Sequence, residues 1–553
     1  MIAYRELRKL ELDVLRAVHE GPGSRFLDIH QEISVDVDQF YGIEIEEFPA
    51  QIAQVALWLM DHQMNVRVSE EFGMYFARIP LKTSPHIVNG NALTLDWNNV
   101  LPAARASYVF GNPPFVGKKE QSAAQKADVA PLFAGIKGSG VLDYVTAWYL
   151  KAAPYIHGTR IRCAFVSTNS ITQGEQVGIL WGELLNKYHI KIHFAHRTFQ
   201  WSNEARGMAA VHCVIIGFGA FDVDKKTIYE YEDVRGEPHA VAACNINPYL
   251  VDASDVVVEK RMKPLCQGSE IVFGSKAVDF GHFVIEADEL DDFLAAEPLA
   301  APYISEFIGG EEFLNGSKRY CLWLKELAPQ LLRSMPLVMK RVEAVKEERL
   351  KSVKEPTREL ARIPSLFGED RQPDTQYLLI PKVSSEKRVY VPLGFMEPKF
   401  IINPTVLVVP NASIYDFGVL QSNMHMAWMR AVCGRMKSDY QYSASIVYNN
   451  YPWPDQPTDK QRAAVEAAAQ AVLDARAQFP QSSLADLYDP LTMPPALVKA
   501  HQALDRAVDA CYRKAVFTND AQRVEYLFER YQQLTSLLPA FTAKPKRKKK
   551  AAV

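Results

Sequence analysis

Residues 111–115 read Gly-Asn-Pro-Pro-Phe and follow the short apolar run Tyr108-Val109-Phe110. Two adjacent prolines fix two φ angles and remove two backbone donors. The run therefore reads as a strand that must end and turn here. The carbonyl oxygens of such a turn cannot all serve a helix or a ladder, so they can face a ligand. Asn112 adds a side-chain acceptor, and the Phe115 ring can lie flat against a planar base. Together these groups can accept both hydrogens of an exocyclic amino group while a ring holds the face of the base. The same letters also suit a plain Pro-rich turn after a strand. The surrounding pattern has to decide between the two.

That pattern alternates. The leading segment has Leu7, Leu10, Val14 and Leu15 at helical spacing. Residues 39–46 read as a strand ending in acids. Pro49 then opens a helix through Met60 whose expected buried face is Ile52, Val55, Ala56 and Leu59. His86-Ile87-Val88 reads as a strand running into Asn89-Gly90-Asn91, and 107–110 as another. A helix is predicted over 141–153, and strands over 161–167, 190–195 and 210–218. Strands alternating with helices predict an α/β domain with a mainly parallel sheet. Ligands of such folds bind beyond the carboxyl ends of the strands, and Glu44, Asn91 and Asn112 all fall there. An acid at a strand end suits ribose hydroxyls; Asn91 suits a purine edge.

From about residue 226 the character changes to short strand-like pieces punctuated by Gly and Pro. A second domain is expected over 265–455, interrupted by a charged helix at 339–352 whose charges read as solvated. Helical patterns follow over 461–477 and 494–536, then a basic run, Lys544 to Lys550.

The 553 residues allow three or four domains. The net charge of −3 excludes a polycation, so any nucleic-acid surface must be a local patch. Seven scattered cysteines without a C-x-x-C argue against disulfides and a Cys-rich zinc site, and for a cytoplasmic location. No apolar run reaches membrane-spanning length. His189, His193 and His196 invite a metal reading, but 193 and 196 alternate across a strand. Pro373-Asp374 with Glu397-Pro398-Lys399 has the letters of a metal-nuclease pattern, in a context that argues for chance. No metal is expected.

Several stretches now line up in order: 41–65 (YGIEIEEFPAQIAQVALWLMDHQMN), 90–97 (GNALTLDW), 111–122 (GNPPFVGKKEQS), 142–153, 165–177 (FVSTNSITQGEQV) and 194–218. This series resembles that of gamma-order N6-adenine DNA methyltransferases. The pieces at 319–324 (RYCLWL), 384–395 and 435–454, with the helical end, resemble one branch, the single-chain type IIL/IIG restriction–modification enzymes of the MmeI-like family.

The resemblance implies a Rossmann-like S-adenosylmethionine (SAM)-dependent methyltransferase domain over 1–225 and a linker over 226–264. It implies a mixed α+β target recognition domain over 265–455, a helical domain over 456–540 and a basic tail over 541–553. The implied activity is site-specific methyl transfer to adenine N6 in double-stranded DNA, on a base flipped from the duplex. Asn112, Pro113, Pro114 and Phe115 would be catalytic, with Phe199 or Trp201 as the opposite stacking wall. Glu44, Ile45, Asn91 and Ala92 would hold SAM. Arg388, Arg435 and Lys437 would contact DNA.

In this family a Gly-rich cofactor loop and its strand sit immediately before the helix at Ile2, and a nuclease domain precedes them. The expectation is therefore a sheet lacking its first strand, unpaired ladder groups, weak SAM binding, and a nuclease partner or preceding nuclease domain. Gly135-Ile-Lys-Gly138-Ser-Gly140 is no substitute, lying after the catalytic motif. Two other classes remain open: a catalytically impaired or truncated DNA-binding specificity module, and an amino-group methyltransferase acting on RNA or protein glutamine.

Overall fold

The computed structural model describes residues 1–19, 32–72, 84–201, 211–266, 268–436 and 438–536. The chain divides into two compact units. The first is Met1–Ser167 with Glu183–Lys191 and Ile216–Val223; the second is Thr168–Gly182, Ile192–Ile215 and Asp224–Val553. Lys437 and the basic run after 536 lie outside the described residues.

The first unit opens with α1 (Ile2–His19), β1 (Tyr41–Glu44) and α2 (Glu47–Phe72). Next come β2 (His86–Asn89), β3 (Tyr108–Gly111), α3 (Ala123–Phe133), α4 (Thr146–Ile156) and β4 (Arg162–Thr168). β1 pairs with β2 in parallel, Tyr41 opposite His86. β3 pairs with β4 in parallel, Tyr108 opposite Arg162. The β1–β2 pair is a sheet of its own, and among the described residues β3 has no strand on its other side. Gly135 and Gly138 take φ of 80° and 83°, so the glycine-rich segment there is a turn built on left-handed backbone.

Two helix faces differ from expectation. α2 starts at Glu47 and runs past Met60 to Phe72. Its expected buried residues Ile52, Val55 and Leu59 are 51%, 50% and 59% exposed. Ala50, Leu57, Asp61, Met64, Asn65 and Val68 are buried instead. On α1, Leu7, Leu10 and Val14 are likewise exposed, and Tyr4, Arg8, Leu12 and Leu15 are buried. The cause is a polar seam between the helices. The Tyr4 hydroxyl donates to Asp61 at 2.5 Å, Arg8 donates to Asn65 at 3.1 Å, and Asn65 donates to Asp61 at 3.1 Å. Once these groups pair, burying them costs little, and they set which face turns inward.

The second unit holds most of β5 (Lys191–Trp201) and part of β6 (Val211–Gly219). β5 pairs in parallel with β7 (Lys226–Glu230), which pairs antiparallel with β8 (His239–Ala243). β5 runs past the expected end at 195 because His196 still pairs, opposite Tyr229.

Short strands follow: β9 (Val272–Phe273), β10 (Val284–Glu286), β11 (Ile304–Ile308), β12 (Arg319–Leu322), β13 (Tyr377–Pro381), β14 (Val383–Ser384), β15 (Gly394–Met396), β16 (Ile401–Ile402), β17 (Val406–Pro410), β18 (Gly434–Met436) and β19 (Asp439–Gln441). They form sheets in the orders β10-β12-β11-β16, β15-β13-β17-β9 and β14-β19-β18. Helix α5 (Pro336–Lys351) is the charged helix of the sequence reading, but it is not solvated all round. It buries Val338, Val342 and Val345 against Phe283, Phe307 and Phe367, and Arg349 is buried as well.

α6 (Ile414–Gln421) and α7 (Asn423–Val432) lead to the helices α8 (Asp459–Ala477), α9 (Pro495–Tyr512) and α10 (Asp520–Thr535). Buried polar contacts join them. The Arg476 guanidinium donates to the Leu393 carbonyl, to Gln421 and to the Tyr488 hydroxyl. Tyr390 donates to Asp505 at 2.6 Å.

His425 lies fully inside this unit, with Nδ1 2.9 Å from the Leu420 carbonyl and Nε2 2.9 Å from the Tyr442 hydroxyl. These partners select the neutral tautomer with its proton on Nδ1. Burial pushes the pKa of His425 down to about 3 from 6.5. Between those values the unfolded chain binds the extra proton and the folded one does not. The stability His425 contributes is thus complete above pH 6.5 and is lost as pH falls toward 3, by about 1.4 kcal/mol per pH unit. H425Q, which can keep both hydrogen bonds, is expected to flatten the fall of the thermal midpoint across that window. An unchanged profile would refute this assignment.

Candidate functional site

The carboxyl ends of β1, β2 and β3 open into one cleft of about 810 Å³ in the first unit. It is lined by Glu44 and Ile45, by Asn91 and Ala92, and by Asn112, Pro113 and Pro114. These are the positions the sequence reading picked from three separate strand ends. The backbone at this rim is pinned. The Asn89 carboxamide donates to the carbonyls of Glu44 at 3.1 Å and Ile45 at 2.9 Å, so the ends of β1 and β2 are tied together. The Glu44 carboxylate accepts from the Glu46 amide at 3.2 Å and has no other partner among the described residues. The Asn91 side-chain oxygen accepts from the Leu93 amide at 2.9 Å, and its NH₂ has no partner among the described residues.

The cleft walls are aromatic. The Trp97 indole N–H donates to the Ala92 carbonyl at 2.9 Å, and its ring meets Tyr155 edge-on at 5.5 Å. Tyr155 donates to the Leu101 carbonyl at 2.7 Å. Tyr108, Phe110, Trp97, Trp148 and Tyr155 line the cleft, and the sequence reading named none of them as site residues. Trp97 carried a signal, because it closes the GNALTLDW stretch.

Pro113 is buried, Asn112 and Pro114 are exposed, and Phe115 is half-buried. Among the described residues, neither the Asn112 carboxamide nor the Pro113 carbonyl has a hydrogen-bond partner. The chain just beyond is anchored. The Tyr144 amide donates to the Val116 carbonyl at 2.9 Å, and the Asp143 carboxylate accepts from the Lys118 amide at 3.0 Å. The turn is therefore held from both sides with its own acceptors unengaged. Phe115 is not part of the cleft lining.

The remaining candidates lie in the second unit. Phe199 is half-buried and Trp201 is exposed, with ring centroids 6.1 Å apart. Arg388 is half-buried, and burial holds its guanidinium below its ordinary pKa. Arg435 lies 4.2 Å over the Tyr440 ring and donates to the Ser438 carbonyl at 2.9 Å. It also lies 3.4 Å from the Glu386 carboxylate. Its position is that of a residue bracing the β18–β19 hairpin. Of the histidines considered for metal, His193 is buried and His196 contacts Tyr231. Among the described residues no cluster of His, Cys, Asp or Glu has metal-site geometry.

An acidic strand end, a neighbouring amide, an aromatic-walled cleft and a Pro-Pro turn at one carboxyl edge define the class: an α/β domain built like a methyltransferase. Comparison with known proteins is specific. Residues 1–230 match the model of the MmeI DNA-methyltransferase domain, residues 252–455 the MmeI target recognition domain, and residues 457–539 the MmeI C-terminal domain. DNA methyltransferase A of Bacillus subtilis (strain 168) is 39% identical over 538 residues, covering 97% of this chain. The chain spans 60% of the length of that relative. The solved structure of the type IIL restriction–modification enzyme MmeI in complex with DNA is 54% identical, with a TM-score of 0.86. That match covers 97% of this chain and 71% of the other. The chain belongs to the MmeI family.

Proposed function

We propose that this chain is the methyltransferase and recognition portion of a restriction–modification enzyme, and that it methylates adenine N6 at a specific site in double-stranded DNA. The observation that supports this most is a pair of acceptors, the Asn112 carboxamide oxygen and the Pro113 carbonyl, that have no partner among the described residues and belong to residues lining a cleft of about 810 Å³. Adenine N6 is a poor nucleophile because its lone pair is delocalised into the ring. Two acceptors that bind both amino hydrogens localise that pair on nitrogen and aim it. The target must leave the duplex to reach them, and Phe115 and Phe199 are the proposed stacking surfaces. Asn112 and Pro113 act by position and by fixed dipoles, with no covalent enzyme intermediate. The proton displaced from N6 passes to solvent.

The cleft residues fit SAM at its nucleoside end. The open Glu44 carboxylate suits the ribose hydroxyls, and Ile45, Asn91 and Ala92 suit the adenine. When bound there, SAM supplies the methyl group. E44A is expected to weaken SAM binding by about 10- to 100-fold, the worth of a hydrogen bond to a charged group, and to leave DNA affinity unchanged. Isothermal titration with SAM, set beside a DNA shift assay, checks it. Equal SAM affinity would remove Glu44 from the site.

The direct test is incubation with SAM and unmodified DNA, followed by mass spectrometry of the nucleosides. N6-methyladenine is the expected product. N4-methylcytosine, or methylation of RNA or protein but not DNA, would overturn the reading. The recognition portion is proposed to contact double-stranded DNA, with Arg388, Arg435 and Lys437 as candidate contacts.

A further inference from the structure

We infer that Tyr231 is the positioning residue that makes Phe199, rather than Trp201, the wall on which the extruded base stacks. The inference rests on the base-flipping reading above and deepens it. Phe199 and Tyr231 lie face to face, with centroids 5.4 Å apart and planes 23° apart. The Tyr231 hydroxyl is 2.8 Å from His196 Nδ1. His196 in turn lies flat on Tyr229, with centroids 4.2 Å apart and planes 8° apart. The order Phe199, Tyr231, His196, Tyr229 is one continuous ladder whose inner half is anchored on the paired strands β5 and β7, where His196 sits opposite Tyr229.

The outer end of this ladder is what a base can use. Phe199 has one face against Tyr231. Its other ring neighbours are His196 at 6.4 Å, edge-on, and Trp201 at 6.1 Å, tilted by 50°. No ring among the described residues stacks on the second face of Phe199. Trp201 is 38% exposed and, among the described residues, has no stacked ring partner, its one ring contact being the tilted one with Phe199. A stacking wall needs a fixed plane, because offset-stacked rings lose their attraction when they tilt. Tyr231 supplies that plane, and its own rotation is limited by the bond to His196. Burial lowers the pKa of His196, which keeps the ring neutral and the bond in place near neutral pH.

The reporter is a long DNA duplex amplified with 2-aminopurine in place of a fraction of its adenine. Its fluorescence rises when the analogue leaves the stack. The amplitude is read at saturating protein, and DNA affinity is measured in parallel. Y231L is expected to lower the amplitude about threefold to tenfold, as loss of an aromatic pair would. Y231F keeps the ring and is expected to stay near wild type. DNA affinity should stay within about twofold, because phosphate contacts dominate it.

The decisive comparison is made in the F199A background, where Y231L is expected to do nothing further. An undiminished amplitude in Y231L, or a further loss in the F199A background, would overturn the inference. Should Y231L not fold, H196F serves instead: it keeps an aromatic ring over Tyr229, loses the bond to the Tyr231 hydroxyl, and should act only when Phe199 is present. No fluorescence rise in the wild type would be a different failure. It would remove base flipping itself, and the inference with it.

Discussion

R349A is expected to destabilise the second unit by about 5 kcal/mol, enough to unfold a domain of ordinary stability. Arg349 sits near the end of α5 with no exposed surface. All five of its guanidinium N–H donors are used, and every acceptor is a backbone carbonyl. Nε donates to Val278 at 3.0 Å. Nη1 donates to Leu360 at 2.9 Å and Ile363 at 3.0 Å, and Nη2 to Ala277 at 2.9 Å and Leu366 at 2.8 Å. One side chain thus closes two separate pieces of chain, 277–278 and 360–366, onto a helix.

Truncation leaves those carbonyls without a donor, at about 1–3 kcal/mol for each group that water cannot reach. Lysine has three donors and no planar fork, so R349K should recover only part of the loss. Burial holds the Arg349 pKa below its ordinary value, and the nearby Asp279 carboxylate opposes this. Chemical denaturation read by fluorescence would measure the change. A loss below about 1 kcal/mol would show that the carbonyls find water instead.

N112A is expected to lower methyl transfer by about 10²- to 10³-fold at saturating substrates, with DNA affinity unchanged. The size follows from the loss of one oriented polar group at a reacting centre. The Asn112 side chain has no partner among the described residues, so its removal leaves no buried group stranded and the fold should hold. That separates this substitution from the previous one, whose effect is on stability alone. N112D keeps an acceptor oxygen, brings a negative charge and loses the donor; it should retain more activity than N112A. Single-turnover kinetics with radiolabelled SAM distinguishes the two. Equal rates for wild type and N112A would place the chemistry elsewhere.

The ends of the strands were readable because short-range chemistry fixes them. Two prolines end β3, and Glu44 and Asn91 stand where a parallel strand hands over to a loop. That the three ends converge on one cleft followed from the fold class, since parallel strands share a carboxyl edge. The inward faces of α1 and α2 were misread for a physical reason. Counting apolar residues assumes that they point inward, whereas here Arg8, Asp61 and Asn65 satisfy one another and take the inward side. Arg349 was misread as a solvated charge because its acceptors come from residues 277–278 and 360–366, which no helical periodicity can reveal. Arg435 is a DNA-contact candidate by its motif, and no sequence pattern could show that Tyr440, Ser438 and Glu386 hold its guanidinium in place. Tyr231 carried no sequence signal, because its part depends on a ring 32 positions away.

The polar seam between α1 and α2 has a thermal consequence. Heat capacity rises when apolar surface meets water on unfolding and falls when polar surface does. The helix pair buries Arg8, Asp61 and Asn65 and already shows Ile2, Leu10, Val14, Phe48, Ile52, Val55 and Leu59 to solvent. Opening it therefore adds less new apolar hydration per residue than opening the phenylalanine-lined core around α5. The pair still buries Leu12, Leu15, Leu57, Met64 and Val68, so its stability curve should be shallower than that of the core rather than flat. On cooling, the pair would lose proportionately less of its stability than the core it accompanies.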